Sequence, residues 1–82
     1  MAKKVSSKKT KSSLAVEFER EVDGRWIAEV PTLPGVMAYG STKSAALRRV
    51  SAIALRTLAD KVEQGRTPVP VSRLFDYEMA SH

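Results

Sequence analysis

Polar and apolar residues alternate from Leu14 to Glu21. Leu14, Val16 and Phe18 fall on one side, and Ala15, Glu17, Glu19 and Glu21 on the other. A period of two marks a half-buried β-strand. Asp23-Gly24 then signals a hairpin, and Arg25 to Val30 reads as the returning strand. Its Trp26, Ala28 and Val30 face one way, Ile27 and Glu29 the other. The two faces fix the register. A two-residue loop would set Phe18 opposite Glu29 and mix them. A Val22-Asp23-Gly24 loop, with Gly24 left-handed in a G1 bulge, sets Phe18 opposite Ala28, Val16 opposite Val30 and Glu21 opposite Arg25. The bulged register is therefore predicted, and it places Glu17 directly opposite Glu29.

Pro31 has no N–H for a ladder, so the second strand ends there or lies at an edge. Pro34-Gly35 suits the central positions of a type II turn. A short third strand over Val36 to Tyr39 follows, broken by Gly40. Ser41 or Thr42 caps a helix that runs to about Glu63, with Gly65 as its stop. Ala46, Leu47, Val50, Ile53, Ala54, Leu58 and Val62 recur every three or four residues and form its buried stripe. Thr67-Pro68-Val69-Pro70-Val71 is expected to be extended by its prolines, and Ser72 to Glu78 is a candidate fourth strand. The predicted fold is α+β: a three-stranded antiparallel sheet packed by one long helix, a βββα core. Residues 14–78 make up the domain, after a flexible basic arm at 1–13 and before a tail at 79–82.

Composition refines this picture in two respects. At 82 residues the chain forms a single small domain, and with no cysteine it has neither disulfides nor thiolate chemistry. Association between copies is the expected source of extra stability, as a homo-dimer or tetramer. No apolar run approaches a membrane span or a secretory signal, so a cytoplasmic protein is expected. The net charge of +5 is unevenly placed. Lys3, Lys4, Lys8, Lys9 and Lys11 lie in the arm, while the remaining nine basic residues are balanced by nine acidic ones. The arm is either a solubilising tail or an electrostatic contact for nucleic acid.

The residues offer little for catalysis. The one histidine, His82, is terminal, and no serine has a base to activate it. Glu17, Glu19 and Glu21 are spaced along a line rather than around an ion, so neither a metal nor another cofactor is expected. Surface charge remains. Glu17, Glu19, Glu21 and Glu29 gather on the outward face of the predicted sheet, which is either a hydrated face or the docking site of a basic partner. From Pro31 to Ala59 there is no acid, while Lys43, Arg48, Arg49 and Arg56 are present, a basic helix face without interleaved aromatics. Trp26 reads as a core residue, and Leu55, off the main helix stripe, as a candidate subunit contact.

The run Asp23-Gly24-Arg25-Trp26-Ile27-Ala28-Glu29-Val30-Pro31-Thr32-Leu33-Pro34-Gly35, followed by Gly40-Ser41-Thr42 and the stripe Ala46, Val50 and Ile53, resembles the HicB family of antitoxins over residues 14–64. The resemblance implies a core like a degenerate RNase H or double-stranded-RNA-binding fold, and no catalysis. It also implies a small basic partner, a HicA-type ribonuclease toxin whose active surface is masked, and assembly into dimers or tetramers. This chain departs from the pattern in three ways. It ends before a C-terminal DNA-binding domain would fit, its helix is basic where the family's carries acids, and it begins with a lysine-rich arm. The leading expectation is an antitoxin-like binding module that uses Glu17, Glu19, Glu21 and Glu29. The alternative is a nucleic-acid-binding protein that uses Lys3, Lys4, Lys8, Lys9, Lys11, Arg48, Arg49 and Arg56.

Overall fold

A computed structural model describes residues 13–76. The arm lysines Lys3, Lys4, Lys8, Lys9 and Lys11, and the tail at 79–82, lie outside the described residues. Three strands, β1 (Glu17–Arg20), β2 (Trp26–Glu29) and β3 (Met37–Gly40), precede a long helix α1 (Lys43–Glu63) and a single helical turn α2 (Val69–Ser72). The strands form an antiparallel sheet in the order β1-β2-β3. One face of it carries α1, as the α+β pattern predicts.

The first hairpin adopts the bulged register. Glu17 pairs with Glu29, Phe18 with Ala28, Glu19 with Ile27 and Arg20 with Trp26. The Gly24 N–H donates to the Glu21 carbonyl at 2.9 Å, the Glu21 N–H donates to the Arg25 carbonyl at 2.8 Å, and Gly24 takes a φ of 94°. The Asp23 carboxylate accepts from the Arg25 backbone N–H at 3.0 Å and from its Nε at 2.8 Å. The backbone N–H first, and then the guanidinium, hold the Asp23 pKa below its ordinary value, against an opposing effect of desolvation. A carboxyl with a depressed folded pKa contributes stability above the unfolded value that is lost as pH falls through the folded one. Hairpin stability should therefore be constant above the ordinary carboxylate range and decline below it. An NMR titration in which the Asp23 carboxyl protonates at or above its unfolded value would contradict this.

Two successive turns join β2 to β3. Leu33 N–H donates to the Val30 carbonyl at 2.9 Å and Val36 N–H to the Leu33 carbonyl at 3.0 Å, with Gly35 at a φ of 85° as a type II turn requires. Both turns turn their apolar residues inward, so Val30, Leu33 and Val36 are buried together. Gly40 does not break β3 as expected. It is the last residue of β3, paired with Trp26 and buried. Its role is steric: a Cβ there would collide with the backbone N of Ala46 and sit 2.9 Å from the carbonyl carbon of Ala45.

The helix begins where its cap predicts. Thr42 is extended and its hydroxyl accepts from the Ala45 N–H at 3.0 Å, an interaction typically worth about 1 kcal/mol. It ends in a Schellman motif: Gly65, at a φ of 86°, donates to Val62, and Arg66 donates to Lys61. Ala46, Val50, Ala54 and Leu58 are buried and Ile53 packs against them, but Leu47 and Val62, expected in the same stripe, are exposed. The apolar sector of the helix spans more than half its circumference, and α1 lies across β2 and β3 with little contact to β1. The sector turned toward β1 therefore stays open.

The C-terminal segment corrects two expectations. Thr67 to Val71 is not extended throughout and Ser72 begins no strand. Val69–Ser72 forms α2 with Pro68 as its N-cap and Pro70 in its first turn. Proline loses nothing there, because the first N–H groups of a helix have no partner within it and the fixed φ is already helical. Val71 joins the core, residues 73–76 are turn and coil, and Tyr77 and Glu78 lie outside the described residues.

Candidate protein-binding face

The face of the sheet away from α1 is built by period-two alternation. Register sets Glu17, Glu29 and Met37 in one row and Glu19, Ile27 and Tyr39 in the next. Glu17, Glu19 and Glu29 are exposed, and with Phe18, Ile27 and Met37 they line a shallow hollow of about 230 Å³. Met37 and Tyr39 remain 42% and 39% exposed, so carboxylates rim a small apolar centre. Glu21 is the outlier. It stands beyond the strand ladder at the hairpin end, half-buried and outside the hollow. Of the four predicted acidic residues, the structure brings three together.

The electrostatics of this face are one-sided. Among the described residues the one ion pair is Arg25–Asp23 at the hairpin tip, so none of the three clustered glutamates is neutralised there. Arg25 also lies over the Tyr39 ring, 4.3 Å from its centroid. Glu17 and Glu29 are directly opposed like charges, a destabilising arrangement. The apolar centre formed by Ile27, Met37 and Tyr39 was not anticipated from the sequence. The signal was present in Met37 and Tyr39, which fall on the outward positions of β3 once its register is known.

The basic residues are more dispersed. Arg48, Arg49 and Arg56 are all exposed on α1, but Arg49 donates through Nη1 to the Tyr39 carbonyl at 2.9 Å, closing off part of the β3 edge. Arg49 and Arg56, seven residues apart, share one side of the helix, while Arg48 lies about 100° around from Arg49. Of the helix cations it is Lys43 that meets aromatic rings: its Nζ is 4.9 Å from the Phe18 centroid and 5.4 Å from that of Trp26, with Arg20 over the same indole at 5.4 Å. Trp26 is thus half-buried at the rim of the core rather than inside it.

No three His, Cys, Asp or Glu side chains gather into a metal-binding set among the described residues, and no described helix is long and apolar enough to cross a membrane. Comparison with known protein families, with characterised proteins and with solved structures finds no match to this chain.

Proposed function

We propose that the chain is an antitoxin-like module, acting in the cytoplasm by contact rather than by reaction, whose outward sheet face covers a small basic ribonuclease of the HicA type. The observation that carries this reading is the Glu17–Glu29 pair, held in strict register beside an exposed apolar centre. Like charges held opposite each other weaken the fold slightly, by about 0.2–1 kcal/mol. A cationic partner turns that cost into attraction, while Ile27, Met37 and Tyr39 supply the apolar contact that charge alone lacks. Charged rims around apolar centres are the common anatomy of protein interfaces. The nucleic-acid reading has less behind it, because the Arg49 guanidinium donates to the Tyr39 carbonyl and Arg48 projects to a different side of the helix from Arg49 and Arg56.

The test is Glu29→Lys. It replaces a repulsive cross-strand pair with an attractive one, so the thermal midpoint should rise slightly, consistent with about 0.5 kcal/mol of stabilisation. Affinity for the basic toxin should fall on the order of a hundredfold, since like-charge juxtaposition at an interface costs several kcal/mol. Ribonuclease inhibition and calorimetric titration read the two effects separately. A variant that still inhibits as the parent does would overturn the reading.

A further inference from the structure

The hydrogen-bond ladder turns backbone groups of β1 off the edge of the sheet. Glu21 N–H donates to the Arg25 carbonyl at the hairpin, so by the period of two it is Glu19 and Glu17 that bond to Ile27 and Glu29 on β2. The N–H and C=O groups of Phe18 and Arg20 therefore point the other way. The far edge has the same parity, since Val30 N–H donates to the Val36 carbonyl and sets Met37 and Tyr39 outward on β3. There Arg49 crosses the edge to reach the Tyr39 carbonyl. The two sides of the β1 edge differ in chemistry. On the helix side, Leu14, Val16, Ser51 and Leu55 wall an apolar hollow of about 220 Å³, because α1 has little contact with β1. Arg20, over Trp26, and Lys43, over Phe18, stand on this side at the hairpin end. On the opposite side are Glu17 and Glu19, exposed and in no ion pair among the described residues.

We propose that this edge takes up an extended segment of another protein as an added antiparallel strand, one whose residues alternate apolar with basic. In strand addition the backbone supplies affinity, and side chains alternate between the two faces, so each face selects its own residue type. Phe18 and Arg20 each offer one donor and one acceptor at the spacing a strand requires. A partner residue paired with either sends its side chain to the helix side, where an apolar group enters beside Val16 and Leu55. The residues between them turn toward Glu17 and Glu19, which attract lysine or arginine and repel an acid. The opposite phase would press basic side chains against Arg20 and Lys43, so charge fixes which alternate goes where. Antiparallel addition continues the pattern of the sheet and is the more stable per residue. The contact is made at the edge of the sheet, so it stands whether or not the outward face covers a toxin.

The probe is a short synthetic peptide of alternating valine and lysine, titrated into the full chain and followed by NMR. In the free protein the Phe18 and Arg20 amides should exchange quickly with solvent while the Glu19 amide is protected. At saturation Phe18 and Arg20 should become protected as well. N-methylation of the valines removes the N–H groups that meet the Phe18 and Arg20 carbonyls and should weaken binding on the order of a hundredfold. N-methylation of the lysines, whose N–H groups point away from β1, should leave binding nearly unchanged. A peptide of alternating valine and glutamate should bind on the order of a hundredfold more weakly than the lysine peptide. Glu19→Lys should narrow that gap from both sides, lowering affinity for the lysine peptide and raising it for the glutamate one. Phe18 and Arg20 amides already protected in the free chain would show the edge held by residues 1–12 or by a second copy, and would overturn the proposal. Equal binding of the two N-methylated forms, or of the lysine and glutamate peptides, would overturn it too.

Discussion

Replacing Gly40 with alanine is expected to cost about 3 kcal/mol or more, a large part of the roughly 4–12 kcal/mol that a chain of this length commands. The reason is space. Gly40 ends β3 opposite Trp26, and the first turn of α1 passes so close that a methyl group would strike the backbone at Ala45 and Ala46. Backbone cannot rotate aside as a side chain does. The strand end and the helix start would have to separate, opening the contact between α1 and β3 that supports the core. Gly24 provides the contrast. Its φ of 94° disfavours a side chain, yet nothing lies within 4 Å of where a Cβ would be. Alanine there should cost only about 1 kcal/mol, through backbone strain alone. Urea denaturation distinguishes the two, and equal midpoints for both variants would show that the close approach at Gly40 is not what limits stability.

The contrast between these glycines also separates what could be read from the sequence from what could not. Gly24 was legible because its turn is local: the faces of the two flanking strands admit only one register, and that register needs a left-handed residue. The Thr42 cap, the Gly65 stop and the Pro34-Gly35 turn were legible for the same reason, each resting on interactions across four or five residues. Gly40 was read as a strand breaker, because its neighbour in space is Ala46 and nothing local announces that approach. Leu47 and Val62 fit the helix period as well as Val50 does, yet they are exposed. Periodicity finds an apolar sector but does not say how much of it a three-stranded sheet will cover. The acidic face was partly legible, since alternation alone puts Glu17, Glu19 and Glu29 on one side. Its apolar centre required the β2–β3 register, and the separation of Glu21 required knowing where the ladder stops. Pro68 is extended as its type suggests, but Pro70 falls in the first turn of α2, where the same fixed φ is already helical.

Val50→Asp should produce the second large effect, and its pH dependence tests the mechanism as well as the size. Val50 is fully buried, the central member of the row that α1 packs on the sheet, among Ala28, Val30 and Ala54 in one apolar cluster. No buried polar side chain lies in that core among the described residues. An ionised carboxylate placed there has no charge to pair with and would cost several kcal/mol, enough to leave the chain mostly unfolded at neutral pH. Burial would raise the pKa of the introduced acid in the folded state, so the native form would bind a proton that the unfolded form releases. Stability must then increase as pH falls from the folded pKa toward the unfolded one, the reverse of the slope expected from Asp23 in the parent chain. Helical circular dichroism followed between neutral pH and about pH 4 should show partial refolding of the variant, while Val50→Asn, which has similar bulk but no charge to lose, should be destabilised with no such recovery. A Val50→Asp chain that remains folded at neutral pH would mean that α1 is not seated on the sheet through this row.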